Sequence, residues 1–237
     1  MKKYLLGICT YNEGEKIKRV LAKFTDYECY DVLVIDDGSS DGSLQGIAAS
    51  PSIQMIVNPV PRGAGFGTRQ IHQYAIEKGY ETVFFVSGND KDSSQDIAKL
   101  KEAIEEGFDF VQGSRYLPGG RHGGMPFYRR VATEWVHPFL FSLIAGRRIT
   151  DSTNGFRALR VALLKDPRIQ LNQEWLDQYE LEPYVFYKAI QLGYKVKEVP
   201  VSKFYPSRKE GYTKMKPWAG WWSILRPVVY LGLGIRK

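Results

Sequence analysis

Cysteine is scarce in this chain of 237 residues: Cys9 and Cys29 are the only two. That number gives no disulfide framework and suits a reducing cytoplasm. The three histidines, His72, His122 and His137, stand far apart, without the spacing of zinc ligands. No stretch reaches the roughly 18 apolar residues that a spanning helix needs. The basic start, Met1-Lys2-Lys3, leads into too short an apolar run for a signal peptide. Repeats and low-complexity linkers are missing too, which argues for one domain. What remains is 43% hydrophobic and 25% charged, the composition of a folded soluble protein. The net charge of +7 points to an anionic partner: nucleotide phosphates, acidic lipid headgroups or nucleic acid. No recognition motif accompanies that charge, so nucleic acid ranks last.

The first half alternates strand-like and helix-like segments. Strand patterns cover Leu5 to Thr10, Val32 to Ile35, Ile53 to Val57, Thr82 to Val86 and Phe108 to Gln112. Helical patterns fill Glu13 to Phe24, Gly67 to Lys78 and Gln95 to Glu106. The alternation predicts an α/β protein with a mostly parallel central sheet and helices on both faces. After the glycine-rich loop at Gly119 to Gly124, an apolar helix is expected over Tyr128 to Gly146, interrupted at Pro138. A mixed stretch, Asp151 to Leu164, a helix at Glu174 to Leu192 and a strand at Tyr194 to Val201 follow.

Ligands of open α/β sheets collect at the carboxyl ends of strands, and five polar segments sit at such ends. Thr10-Tyr11-Asn12-Glu13 closes the first strand. Asp36-Asp37-Gly38-Ser39 closes the second and places two carboxylates where burial is costly unless they bind something. Arg62-Gly63-Ala64-Gly65-Phe66-Gly67 precedes a helix and offers backbone N–H groups to a ligand, without dinucleotide or P-loop spacing. Asp90-Lys91-Asp92 brings two hard oxygen ligands, as Mg²⁺ or Mn²⁺ on a diphosphate requires. Gly113-Ser114-Arg115-Tyr116 adds a guanidinium suited to phosphate.

In this order the segments resemble a family 2 glycosyltransferase with the GT-A fold. Thr150-Asp151-Ser152-Thr153-Asn154-Gly155-Phe156-Arg157, Lys197-Glu198-Val199-Pro200-Val201 and Arg208 to Lys214 are similar to segments of the dolichol-phosphate mannose synthases and their bacterial relatives. The resemblance spans roughly residues 3 to 214 and implies a GT-A domain over 1–214, followed by an aromatic and basic amphipathic tail over 215–237. It implies that Cys9, at a usual proline position, lines the nucleotide base and ribose with Tyr11 and Glu13. Asp37 would bond the base, and Arg62 and Gly63 would belong to the same nucleotide site. Asp90 and Asp92 would hold the metal, and Lys91, at a position that is usually small, would meet the diphosphate. Arg115, with Arg130 or its neighbour Arg129, would meet the acceptor phosphate or the transferring group. Arg208 and Lys214 would close over the donor diphosphate.

The implied reaction is an inverting, metal-dependent transfer from a GDP- or UDP-sugar. A polyprenyl phosphate acceptor needs no general base. A glycan hydroxyl acceptor does, and Asp151 is the first candidate, ahead of Glu180 and Glu182. A non-catalytic nucleotide-sugar-binding module is the rival from another class. The apolar segment around Trp135 and Phe139, and the tail with Trp218, Trp221 and Trp222 among basic residues, suit an interfacial helix on an anionic bilayer. Packing on the core or on a second copy of the chain is the other use of the tail. The expected place is the cytoplasm or the inner face of the cell membrane.

Overall fold

A computed structural model describes residues 3–24, 29–47, 52–206 and 219–236. Seven strands form the central sheet: β1 (Tyr4–Thr10), β2 (Tyr30–Asp36), β3 (Ile53–Val57), β4 (Thr82–Ser87), β5 (Phe110–Ser114), β7 (Arg157–Arg160) and β8 (Val196–Pro200). Their order is β3-β2-β1-β4-β7-β5-β8. All neighbours run parallel except β7, which lies antiparallel between β4 and β5. A small second sheet pairs β6 (Arg121–Gly123) with β9 (Ser202–Phe204).

Strand residues alternate between two cores, as a period of two requires. Leu5, Leu33, Ile35 and Phe85 face one, while Leu6, Ile8, Val32, Val34 and Phe84 face the other. Helices α1 (Glu15–Lys23) and α3 (Ile97–Glu105) cover the second core through Ile17, Val20, Leu21, Leu100 and Ile104. Helices α2 (Ala64–Lys78), α5 (His137–Ala145) and α7 (Leu181–Gln191) cover the first through Ile71, Phe141, Tyr184 and Phe186. Helix α2 lies so close to β1 that a Cβ on Gly7 would stand 2.5 Å from Ile71 Cγ2.

One expectation needs correction. The expected break at Pro138 is absent: α4 (Phe127–Val131) runs through a π-helical turn, Ala132–Val136, into α5. The proline sits in the first turn of α5, just past the widened turn, where its missing N–H costs least. The mixed stretch after Asp151 holds β7, a four-residue strand with an arginine at each end, and the short α6 (Val161–Leu164).

The C-terminal helix α8 (Ala219–Gly232) continues through Pro227 and packs on α5 and α7. Glu180, fully buried, accepts from Ser223 Oγ at 2.5 Å and also pairs with Arg226. His137 Nε2 lies 3.0 Å from the Ile224 carbonyl. Core packing is therefore one use of the tail. No helix among the described residues is long and apolar enough to cross a membrane.

Candidate active site

A cavity of about 260 Å³ opens at the carboxyl ends of β1 and β4. Cys9, Thr68 and Ser87 line its floor; Lys91, Arg129 and Lys203 supply cations; Val136, Trp221, Ile224 and Leu225 make an apolar wall. The wall comes from α8 and from the helical passage between α4 and α5, so the tail closes the site. Glu182 is the one carboxylate among the described lining residues.

The nucleotide-side residues are held by a network of turns. Asn12, with a left-handed φ of 50°, donates its N–H to Ser39 Oγ (2.7 Å), and its Oδ1 accepts the Ser40 N–H (2.8 Å). Asp36 accepts the Ser39 N–H at 2.9 Å and also bonds the Ser39 hydroxyl. Tyr11 is about one-third exposed at this edge, and Glu13 lies 3.4 Å from Lys16 Nζ. Cys9 is half-buried beside Thr68, and desolvation pushes its thiol up to about 12, so it lines the cavity as an uncharged group.

Asp37 already has three donors: Arg62 N–H (2.9 Å), Gly63 N–H (2.8 Å) and Asn58 Nδ2 (3.2 Å). The glycine loop it orders faces protein. Gly65 N–H donates to the Gln178 carbonyl and Phe66 N–H to that of Asp177. A Cβ on Gly65 would lie 1.9 Å from the Leu176 carbonyl oxygen. These glycines admit the 176–178 backbone rather than present free N–H groups. The Arg62 guanidinium stacks 3.7 Å above the Phe66 ring.

The Asp-x-Asp element divides. Asp90, at φ 59°, turns towards α1 and pairs with Arg19 (2.7 Å) and Lys23 (2.6 Å). Asp92 is buried; its Oδ1 accepts from Lys203 Nζ at 2.5 Å and its Oδ2 from the Ser87 N–H at 3.3 Å. The two carboxylates share no partner, and neither lines the cavity. Among the described residues no group of three or more histidine, cysteine or acidic side chains is placed to hold a metal ion. In this arrangement the pair does not fit a divalent ion. Lys91 does line the cavity: its ammonium lies 4.6 Å from the centre of the Tyr205 ring. Burial, with Lys203 and Arg129 nearby, pushes it down to about 7.

Arg115 and Asp151 form a buried pair, so Asp151 is not open to a substrate proton. Arg130 points outward to Glu134 (2.7 Å), whereas Arg129 lines the cavity and lies 5.5 Å from the Tyr205 ring centre. Of those two arginines, Arg129 is the one that borders the cavity. Glu182 also lines the cavity, 3.7 Å from Arg157 Nη2. Arg208 and Lys214 lie outside the described residues. Lys203, Tyr205 and Asn89 were not singled out by sequence: Lys203 alternates inward on a three-residue strand, and Asn89 is neutral beside three charged neighbours.

The glycosyl transferase family 2 profile matches residues 6–166. An undecaprenyl-phosphate mannosyltransferase of Micrococcus luteus is 28% identical over 88% of this chain and 85% of its own length. A polyprenol monophosphomannose synthase of Mycolicibacterium smegmatis is 28% identical over 89% and 80%. A dolichyl-phosphate hexose transferase of Haloferax volcanii is 29% identical over 93% and 90%. Among solved structures, glucosyl-3-phosphoglycerate synthase of Mycobacterium tuberculosis, in complex with Mn²⁺, UDP and its product, superposes with a TM-score of 0.68 at 16% identity, over 98% of this chain and 79% of that one. Its GT-A architecture is the fold seen here. The chain belongs to glycosyl transferase family 2 and is a glycosyltransferase.

Proposed function

We propose that this glycosyltransferase moves a hexose from a GDP- or UDP-linked donor to a polyprenyl phosphate, with inversion. The acceptor's phosphate oxygen attacks the anomeric carbon on the face opposite the diphosphate. The bond from that carbon to the diphosphate oxygen breaks, and the electron pair leaves with the nucleotide. A phosphate nucleophile is already anionic, so no side chain has to take a proton.

The observation that carries this proposal is the cavity's division into a cationic side and an apolar wall. Arg129 suits the acceptor phosphate, whereas Arg115, expected there too, is taken up by Asp151; Val136, Trp221, Ile224 and Leu225 suit the first isoprene units. Asp151, the expected general base, is consumed by Arg115. The names of the relatives from Micrococcus, Mycolicibacterium and Haloferax support a lipid-linked phosphate acceptor.

The departing diphosphate needs positive charge. Mg²⁺ or Mn²⁺ is one source, by analogy with the Mn²⁺-bound synthase; the cavity's own cations are the other. The placement of the carboxylates favours the second.

The exposed helix passage supports contact with a membrane. Phe127, Val131, Trp135, Phe139 and Leu143 recur every fourth residue and are 37–79% exposed, beside exposed Arg147 and Arg148. Such a face suits an anionic bilayer surface at the cytoplasmic side.

Glu182 favours a second acceptor class, a glycan hydroxyl, because it reaches the cavity. The test is radiolabel transfer from GDP-mannose and UDP-glucose to undecaprenyl phosphate in detergent. Transfer that survives Glu182→Gln supports the phosphate acceptor. No transfer to undecaprenyl phosphate, with labelling of an oligosaccharide instead, would overturn it.

A further inference from the structure

The corner after β4 presents Asn89, Asp90, Lys91 and Asp92 in sequence, yet only two of these side chains line the cavity. Asn89 and Lys91 do; Asp90 is turned to α1, and Asp92 lies beneath Lys203. Lys203 itself lines the cavity from β9, and its ammonium is held by Asp92. An ammonium has three N–H donors, and this pair uses one of them.

We propose that the ammonium groups of Lys91 and Lys203 serve as the counter-charge for the donor diphosphate, in place of a divalent ion. The inference rests on the nucleotide-sugar function argued above and names how that donor is held. Asp92 then acts as a positioning residue. Its carboxylate fixes Lys203 where, in a metal site, it would fix the ion. Tyr205 positions the second ammonium, since a ring face attracts a cation electrostatically.

Charge and geometry support the assignment together. A divalent oxygen-ligated ion takes six or more ligands, usually including one or two carboxylates. Here the described lining offers Glu182 alone, and Arg157 stands beside it. Lys91 and Lys203 both line one partly enclosed site, and a diphosphate there gains charge-assisted hydrogen bonds to both. Asn89 completes the corner: its buried Oδ1 has no hydrogen-bond partner among the described residues and is open to a sugar hydroxyl.

Calorimetric titration of the full chain with GDP and with UDP tests the proposal, each in EDTA, in Mg²⁺ and in Mn²⁺. One nucleotide is expected to bind in EDTA, with a Kd that either ion changes by no more than about threefold. Lys91→Met should weaken that binding about tenfold or more, and Lys91→Arg should restore most of it. Binding that appears only with Mg²⁺ or Mn²⁺, or that Lys91→Met leaves unchanged, would overturn the proposal and leave the donor assignment intact. If neither nucleotide binds under any of the three conditions, the donor assignment fails first and this inference with it. If Lys91→Met does not fold, the EDTA comparison on the unaltered protein decides.

Discussion

Arg115 and Asp151 meet in a bidentate pair, Nε to Oδ2 at 2.7 Å and Nη2 to Oδ1 at 2.8 Å, with both side chains almost wholly out of solvent. The Arg115 N–H and the Thr153 N–H and hydroxyl also donate to the same carboxylate. The pair ties the end of β5 to the loop before β7. Asp151→Asn leaves a buried guanidinium without its counter-ion, a loss of about 3–5 kcal/mol. Urea unfolding measures it. A loss below about 1 kcal/mol, the range of an exposed pair, would show that the carboxylate does not hold this loop.

Asp151 also shows what a sequence can and cannot give here. Its position in the Thr150 to Arg157 segment marks it as important, but whether it meets a proton or an arginine depends on where β5 and β7 are brought together. The strands β1 to β5 were legible because each is a run of Val, Ile, Leu or Phe bounded by turn residues. Strand β7 was not, because a four-residue strand that starts and ends with arginine reads as polar. The glycines at 63 and 65 pointed to a ligand, and they approach protein backbone instead. Their partner is the 176–178 backbone, more than a hundred residues away, which no local pattern specifies. The two aspartates at 90 and 92 looked alike in sequence; the left-handed φ at Asp90 sends them to different neighbours.

His72 gives the fold an acid-sensitive point. It is buried against Phe85, its Nδ1 has no hydrogen-bond partner among the described residues, and burial, with Arg157 and Arg69 nearby, pushes it down to about 3. The unfolded chain takes up this proton near its ordinary value of about 6.5. Between the two values the unfolded state binds more protons, so stability falls as pH falls from 6.5 towards 3. At pH 5 the contribution lost is about 2 kcal/mol. Thermal melts at pH 7.5 and 5 should show a larger drop for the natural chain than for His72→Asn. Equal drops would place the acid sensitivity elsewhere.

The exposed residues spaced by four along α4 and α5 make a quantitative statement about membranes. Trp135 is 67% and Phe139 63% exposed, and each buries apolar area only if something covers it. Replacing both with serine should weaken binding to phosphatidylglycerol vesicles by at least about tenfold, since one large apolar side chain is worth about 1.5–3 kcal/mol. Unfolding by urea should be nearly unchanged, because neither side chain is in the core. Sedimentation with vesicles reads the first and fluorescence the second. Equal vesicle binding by the natural and doubly substituted chains would remove this face from membrane contact.

Asn89 offers the sharpest way to turn one mode of diphosphate binding into another. Its side chain lines the cavity beside Lys91, and its Oδ1 is buried without a partner among the described residues. Asn89→Asp keeps the shape and adds one negative charge facing the site. If side-chain cations alone hold the diphosphate, that charge repels it and weakens GDP or UDP binding in EDTA by at least about fivefold, since a close like-charge contact costs about 1 kcal/mol in water and about 4 kcal/mol at the dielectric of a protein surface. The same carboxylate supplies a hard oxygen ligand beside the diphosphate, so Mn²⁺ should recover much of the loss. The substituted protein would then need an ion that the natural chain does not. Were Asn89→Asp to bind the nucleotide in EDTA as tightly as the natural chain, the asparagine would not face the diphosphate at all. Were the natural chain itself to gain strongly from Mn²⁺, the substitution should change little, because the ion would already be supplying the charge.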